Sequence, residues 1–239
     1  MALLTVPTFA AEGDGHSWDT SAASGEIIGR YLQATQISQA EIEPTSMEVE
    51  ISASIPKLQE NARLHALRII SQVGRISYRV LGFQGSNAVK NQVIARYLQA
   101  EQQGQADPRL SITPGNYKFR LKGERVLDAS KRVYVFELAP RNRTNGLFKG
   151  EIWLDSSTYL PVYEKGRLSK NPSIFFKRVD FERAFAIQNG QAVPQSMNSV
   201  ILTRLVGKVQ LDISYSNYGQ TNDSAPADST VSFNRLSSR

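Results

Sequence analysis

Apolar and polar residues alternate with a period of two along most of this chain, which predicts strands. The cleanest case is Met47–Ile55. Met47, Val49, Ile51, Ala53 and Ile55 fall on one face, and Glu48, Glu50, Ser52 and Ser54 on the other. Arg63–Ser71 and Arg75–Phe83 follow. Tyr117–Val126 sets Tyr117, Phe119 and Leu121 against Lys118, Arg120 and Lys122. Val133–Leu138 comes after a turn at Asp128-Ala129-Ser130, and an Asn145-Gly146 turn leads into Phe148–Asp155. Tyr159–Glu164, Ile174–Phe185, Ser199–Val206 and Lys208–Tyr218 complete roughly nine or ten strands. Short turns and one apolar face per strand predict an antiparallel meander, solvated on one side.

The period changes to that of a helix in two places. Gly25–Ser38 carries Ile27, Ile28, Tyr31 and Leu32 on one stripe, with Ser24 placed to cap its start. Asn87–Gln103 does the same with Val89, Val93, Ile94, Tyr97 and Leu98, and Gly104 lies just past its end. IIGRYLQATQ at 27–36 and VIARYLQAEQ at 93–102 agree at seven of ten positions, and Gln39-Ala40-Glu41 is echoed by Gln105-Ala106-Asp107. Residues 27–41 and 93–107 fit either an old duplication or two helices that converged on good helix formers.

These elements predict a mainly β fold: an incomplete, unclosed antiparallel β-barrel with two amphipathic helices covering its hydrophobic concave face. Two small helices cover such a face only in part. The remainder is either an apolar cavity suited to a long ligand or a core filled by side chains. The expected lining is Phe119, Leu121, Phe136, Leu138, Ile152, Leu154, Val162, Phe176, Leu202, Leu211 and Ile213. Trp153 falls on the opposite face of its strand, where it is available to a partner.

The ends add an address. Residues 1–11, MALLTVPTFAA, resemble the end of a secretory signal, with small Thr8 and Ala10 at cleavage spacing; 12–24 read as a polar leader. The main domain is expected over 25–218, followed by a polar, mobile tail at 219–239 in which Val231-Ser232-Phe233 would add a short edge strand. The expectation is an exported, soluble, periplasmic protein. With no cysteine in 239 residues, there is no lipid anchor on such a residue, no disulfide and no thiolate site for a metal.

Catalytic chemistry has little to work with. The two histidines are His16 in the leader and His65 in a strand, too far apart in character for a metal site. No GxSxG, HExxH, Walker or GxGxxG pattern occurs. Glu137, Glu151, Asp155 and Glu164 fall on neighbouring strands, but Glu151 and Asp155 take the polar face, so a solvated surface is the simpler account. The reading is a binding protein, not an enzyme, with no cofactor and no metal.

The net charge of +6 points to an anionic partner of some kind. Lys118, Arg120 and Lys122 alternate on one strand, with Arg141, Arg143 and Lys149 close in sequence. Single-stranded nucleic acid needs aromatics on the basic face, whereas Tyr117 and Phe119 point away, so no nucleic acid is expected. The basic face either meets anionic headgroups or solubilises. Arg204 interrupts VILTRLV and Arg68 interrupts LHALRII. Each reads as a cavity-rim residue touching a ligand headgroup or helix end, or as half of a cross-strand ion pair.

From Tyr117 to Tyr218 the chain resembles a family. YVFELAPR (134–141), FKGEIWLDSSTYLPVYEKG (148–166), FFKRVDF (175–181) and RLVGKVQLDISYSNY (204–218) resemble the LolA/LolB-like lipoprotein-carrier superfamily, which includes outer-membrane lipoprotein-sorting proteins and the related sensor RseB. The resemblance implies an unclosed barrel with helices over its mouth, holding lipid or lipoprotein acyl chains in the periplasm. A membrane-associated protein partner is possible in that setting. The N-terminal strands at 47–83 and the helix at 87–103 do not align to the family, so no lid-fastening arginine is carried over. The runner-up is a periplasmic regulatory or scaffolding module whose ligand is a protein.

Overall fold

The computed structural model describes residues 22–40, 45–104, 107–127, 131–171 and 174–220. Residues 1–11 and 12–21, the turn at 128–130 and the tail from 221, including 231–233, lie outside the described residues.

A helix, α1 (Ala22–Ala40), precedes three strands, β1 (Thr45–Ile55), β2 (Glu60–Ile70) and β3 (Ile76–Gly85). Next comes a helical rod: α2 (Asn87–Val89), a π-helical turn over Lys90–Ile94 and α3 (Ala95–Gly104). Seven strands follow: β4 (Tyr117–Val126), β5 (Arg132–Pro140), β6 (Phe148–Asp155), β7 (Pro161–Leu168), β8 (Phe176–Gln188), β9 (Gln191–Thr203) and β10 (Lys208–Gln220).

All ten strands form one antiparallel sheet in the order β3-β2-β1-β10-β9-β8-β7-β6-β5-β4. The first strand pairs with the last, Ile51 opposite Ile213 and Ala53 opposite Leu211. β3 and β4 are the two edges, so the barrel is unclosed, as the alternation predicts. Bulges at Ser46/Glu48, His65/Ala66, Leu121/Gly123 and Trp153/Leu154 each add local twist, which curves the sheet. Gly150 faces Gly166 across β6 and β7, and the Phe148 ring lies over the place a Gly166 side chain would take.

The concave face holds the core. Met47, Val49, Ile51, Ala53 and Ile55 are all buried, as the β1 pattern predicts, and pack with Tyr31 of α1 and with Val89, Ile94 and Leu98 of the rod. Burial of these side chains, at about 1.5–3 kcal/mol each, is what holds the helices on the sheet. The rod starts from Ser86, whose Oγ accepts from Val89 N at 3.3 Å and donates to Glu60 Oε2 at 2.9 Å.

Some boundaries differ from the sequence pattern for physical reasons. α1 already includes Ala22, so Ser24 is buried within the helix and does not precede it. β9 begins eight residues before Ser199, because Asn189 and Gly190 both take positive φ (50° and 74°) and form a tight hairpin with β8. It ends at Thr203, where the chain turns at once: Thr203 N donates to Gly207 O at 2.7 Å. β7 starts at Pro161, since Tyr159 sits in a left-handed turn position (φ 60°). β10 runs two residues into the stretch expected to be tail.

Candidate functional site

Seven of the eleven expected lining residues, Phe119, Phe136, Leu138, Ile152, Leu154, Leu211 and Ile213, belong to the buried core cluster. Leu121 packs on its edge. Three stand apart from that packing. Val162 and Phe176 are half-buried and do not join the cluster. Leu202 is opposite Arg178 and Lys208 in register, on the outer face; its neighbour Ile201 packs inward instead. Side chains therefore fill most of the concave floor.

Open space remains at one end. A cavity of about 400 Å³ lies between the first half of α1 and the β4–β5 edge. Ile27 and Arg30 contribute from the helix, Leu121, Gly123 and Tyr134 from the strands, and Tyr159 from the β6–β7 turn. Leu121 alone of the expected lining residues is among them. Its volume is at the low end of the range for small-ligand sites.

The walls are held by local rules. Asp155 Oδ1 accepts from the Ser157 and Thr158 amides at 3.0 and 2.8 Å, and Tyr159 N donates to Asp155 O at 2.9 Å, so the turn presents Tyr159 to the helix. These bonds hold the Asp155 carboxyl below its ordinary range against the opposing effect of burial. Tyr159 stacks on Tyr134 with centroids 6.1 Å apart. Arg30 Nη1 donates to Tyr159 Oη at 3.1 Å, its guanidinium is 5.2 Å from the ring centroid, and Nη2 meets Glu26 at 2.7 Å.

The two helices are fastened differently. α1 reaches the core through Ile27, Ile28, Tyr31 and Leu32, and among the described polar contacts its rim is tied by the exposed Arg30. The rod is anchored by a buried polar group. Arg68 is not at a rim: it sits beneath α3, with Glu101 on one side and Met47 Sδ 3.7 Å away on the other. Its partner is on a helix, where a cross-strand pair was the simple expectation. Arg204 has no carboxylate partner among the described ion pairs; Nε donates to Ile174 O at 2.9 Å and its amide to Phe175 O at 2.9 Å.

Beneath α1, Glu164 is buried opposite Ile152, and burial holds its carboxyl above the ordinary range, with Arg183 3.7 Å away pulling the other way. Burial also pushes the Tyr117 hydroxyl up to about 12; that hydroxyl accepts from Phe148 N at 3.2 Å.

The convex face is charged but paired. Arg120 pairs with Glu137, Lys165 with Glu151 at 3.3 Å, and Arg167 with Asp180 at 2.8 Å. Glu137 and Glu151 are neighbours in register, each engaged by a cation outside the cavity. His65 meets Glu48 at 3.1 Å. Trp153 lies on this face as expected, 4.9 Å from Tyr163 and 5.2 Å from the Arg125 guanidinium. Among the described residues no three His, Cys, Asp or Glu side chains converge to hold a metal. No described helix is long and apolar enough to cross a membrane.

Sequence reasoning did not find Arg30, Tyr134 or Tyr159 as wall residues. The available signal was a tyrosine just before Leu-Pro in a β6–β7 turn, but nothing local ties it to an arginine 129 positions earlier.

Fold and cavity define a class: a single curved sheet, open along one seam, with a helix laid over its mouth. No protein-family model and no curated protein matches the chain. Solved structures that resemble it include a putative outer-membrane lipoprotein-sorting protein domain from Vibrio parahaemolyticus (12% identity, 89% of this chain and 99% of that one, TM-score 0.45). Others are a LolA superfamily protein from Nitrosomonas europaea (13%, 83% and 94%, TM-score 0.40) and a DUF1329 family protein from Desulfovibrio piger (15%, 88% and 98%, TM-score 0.42). With TM-scores below 0.5, they say nothing of ligand or role.

Proposed function

We propose that this is a periplasmic binding or carrier protein that takes a lipid or the acyl chain of a lipoprotein by non-covalent burial, without catalysis. The observation that carries the reading is the cavity between α1 and the β4–β5 edge, beneath a helix tied at its rim by an exposed arginine. Swinging α1 outward would join that cavity to the apolar surface under Ile27, Tyr31 and Leu32. Each methylene then removed from water contributes about 0.8 kcal/mol, so a short run of them suffices for binding and still allows release. Leu121 and Tyr134 form the inner wall; at the entrance Arg30 is paired with Glu26, and Glu124 also lines the cavity, so the apolar chain is the part of the ligand that this site would hold.

Mass spectrometry of organic extracts from the purified protein tests this directly. Co-purifying acyl species are expected, and Leu121→Trp, which fills the cavity, is expected to lower bound acyl chains at least tenfold while the fold is kept. A clean extract, with no uptake of a fluorescent fatty acid, overturns the reading. That outcome would favour the second reading, a module that binds a protein segment along the β3 or β4 edge by strand addition.

A further inference from the structure

The three turns at one rim of the sheet share a composition that neither packing nor the cavity explains. The β1–β2, β9–β10 and β7–β8 connections end neighbouring strands at the same end, because the order there runs β2-β1-β10-β9-β8-β7. At this rim Ile174 and Leu205 are 81% and 68% exposed, and Phe175 and Leu58 about half exposed. Such tips cost solubility and contribute nothing to the core.

Two of the turns are also hydrogen-bonded to each other. Arg204 Nε and its amide bond the carbonyls of Ile174 and Phe175, so the two apolar loops are stitched into one projection. Thr203 Oγ1 locks the base, donating to Gly207 O at 2.9 Å and accepting from Val206 N at 3.1 Å. The third turn adjoins them, since a Cβ at Gly207 would stand 3.7 Å from Lys57 Cδ.

Charge supplies the second, independent observation. Lys57, Lys170 and Arg204 lie in these turns, with Lys177 and Lys208 at the adjoining ends of β8 and β10, and none of residues 55–59, 169–177 or 203–208 is acidic. Glu60, the first residue of β2, is the carboxylate nearest in sequence to the β1–β2 turn, and it accepts from Ser86 at 2.9 Å. Cations set beside apolar tips match a bilayer with anionic headgroups: side chains enter the acyl boundary and the ring of lysines and arginine remains at headgroup level.

We infer that this rim is a membrane-docking surface, seating Ile174 and Leu205 in the outer part of an anionic bilayer. The inference is independent of what the interior holds. Flotation of the purified protein with vesicles tests it, using phosphatidylcholine alone and with about a third phosphatidylglycerol, at low and high salt. Wild-type protein should float with the anionic vesicles, and much less with neutral ones or in high salt. Ile174→Ser with Leu205→Ser should weaken binding at least tenfold, as should Lys170→Glu with Lys177→Glu and Lys208→Glu. Val73→Ser, at the opposite end of the sheet, should float as wild type does, and unfolding midpoints verify that each variant is folded.

The inference is overturned if wild-type protein stays unbound, if it binds neutral vesicles as well, or if the serine double variant floats equally. Binding that appears only when a lipoprotein is embedded in the vesicle also overturns it, assigning the rim to a protein.

Discussion

Glu101 on α3 accepts two hydrogen bonds from Arg68 on β2, 3.2 Å from Nε and 3.0 Å from Nη2, and a third from Tyr78 Oη. One carboxylate thus fixes the rod to the sheet and neutralises a buried guanidinium. Glu101→Ala leaves that charge uncompensated and is expected to cost about 3–5 kcal/mol. Glu101→Gln keeps one acceptor and should cost roughly 1–3 kcal/mol. Urea unfolding checks both, and equal midpoints for Glu101→Ala and wild type would remove the anchor role.

Removing Arg30 should act on motion, not on stability. Arg30 is exposed, so Arg30→Ala is expected to leave the unfolding midpoint unchanged. Amide exchange within α1 should speed up while exchange in α3 stays as it was. Unchanged exchange in α1 would mean that core packing alone holds the helix down.

Glu164 predicts an unusual dependence on pH. Its folded pKa is raised by burial, so the folded state holds this proton more tightly than the unfolded chain does. Its contribution is therefore most favourable below the unfolded value and declines as pH rises through the folded one. Glu164→Gln removes the ionisation and is expected to melt above wild type at pH 7, with the gap closing toward pH 4. A lower melting point for the variant at pH 7 would show that pairing with Arg183 outweighs burial.

Two glycines should respond oppositely to alanine. A side chain at Gly150 would collide with the Lys165 carbonyl and the Gly166 Cα, both backbone, and Gly150→Ala should cost about 1–3 kcal/mol. Gly29 in α1 has open space around it, and Gly29→Ala should stabilise by about 0.5–1 kcal/mol through helix propensity. Chemical unfolding of both variants reads the contrast.

Much of the fold was legible because a period of two forces it. The limits of β4 and β6 match the pattern to the residue, and β1 buries the side chains its alternation selects. β9 was half hidden: Pro194 and the polar run before Ser199 argue against a strand, and only the Asn189-Gly190 pair signalled the hairpin. Face assignments failed at Phe176, where β8 carries one extra residue before Arg178, and at Leu202, which is out of phase with the inward-facing Met197, Ser199 and Ile201 of β9. The site was less legible. Arg68 announced itself as a charge in an apolar run, but its partner is 33 residues away on a helix, and contacts of that kind leave no mark on local spacing.

The missing bond between β3 and β4 has a mechanical meaning. In a closed barrel, strand number and stagger dictate the circumference, and the wall is a hoop. Here the hoop is cut, with no ladder joining β3 to β4. A wall of that design is a clasp: a slight loss of twist would widen it without breaking a ladder hydrogen bond.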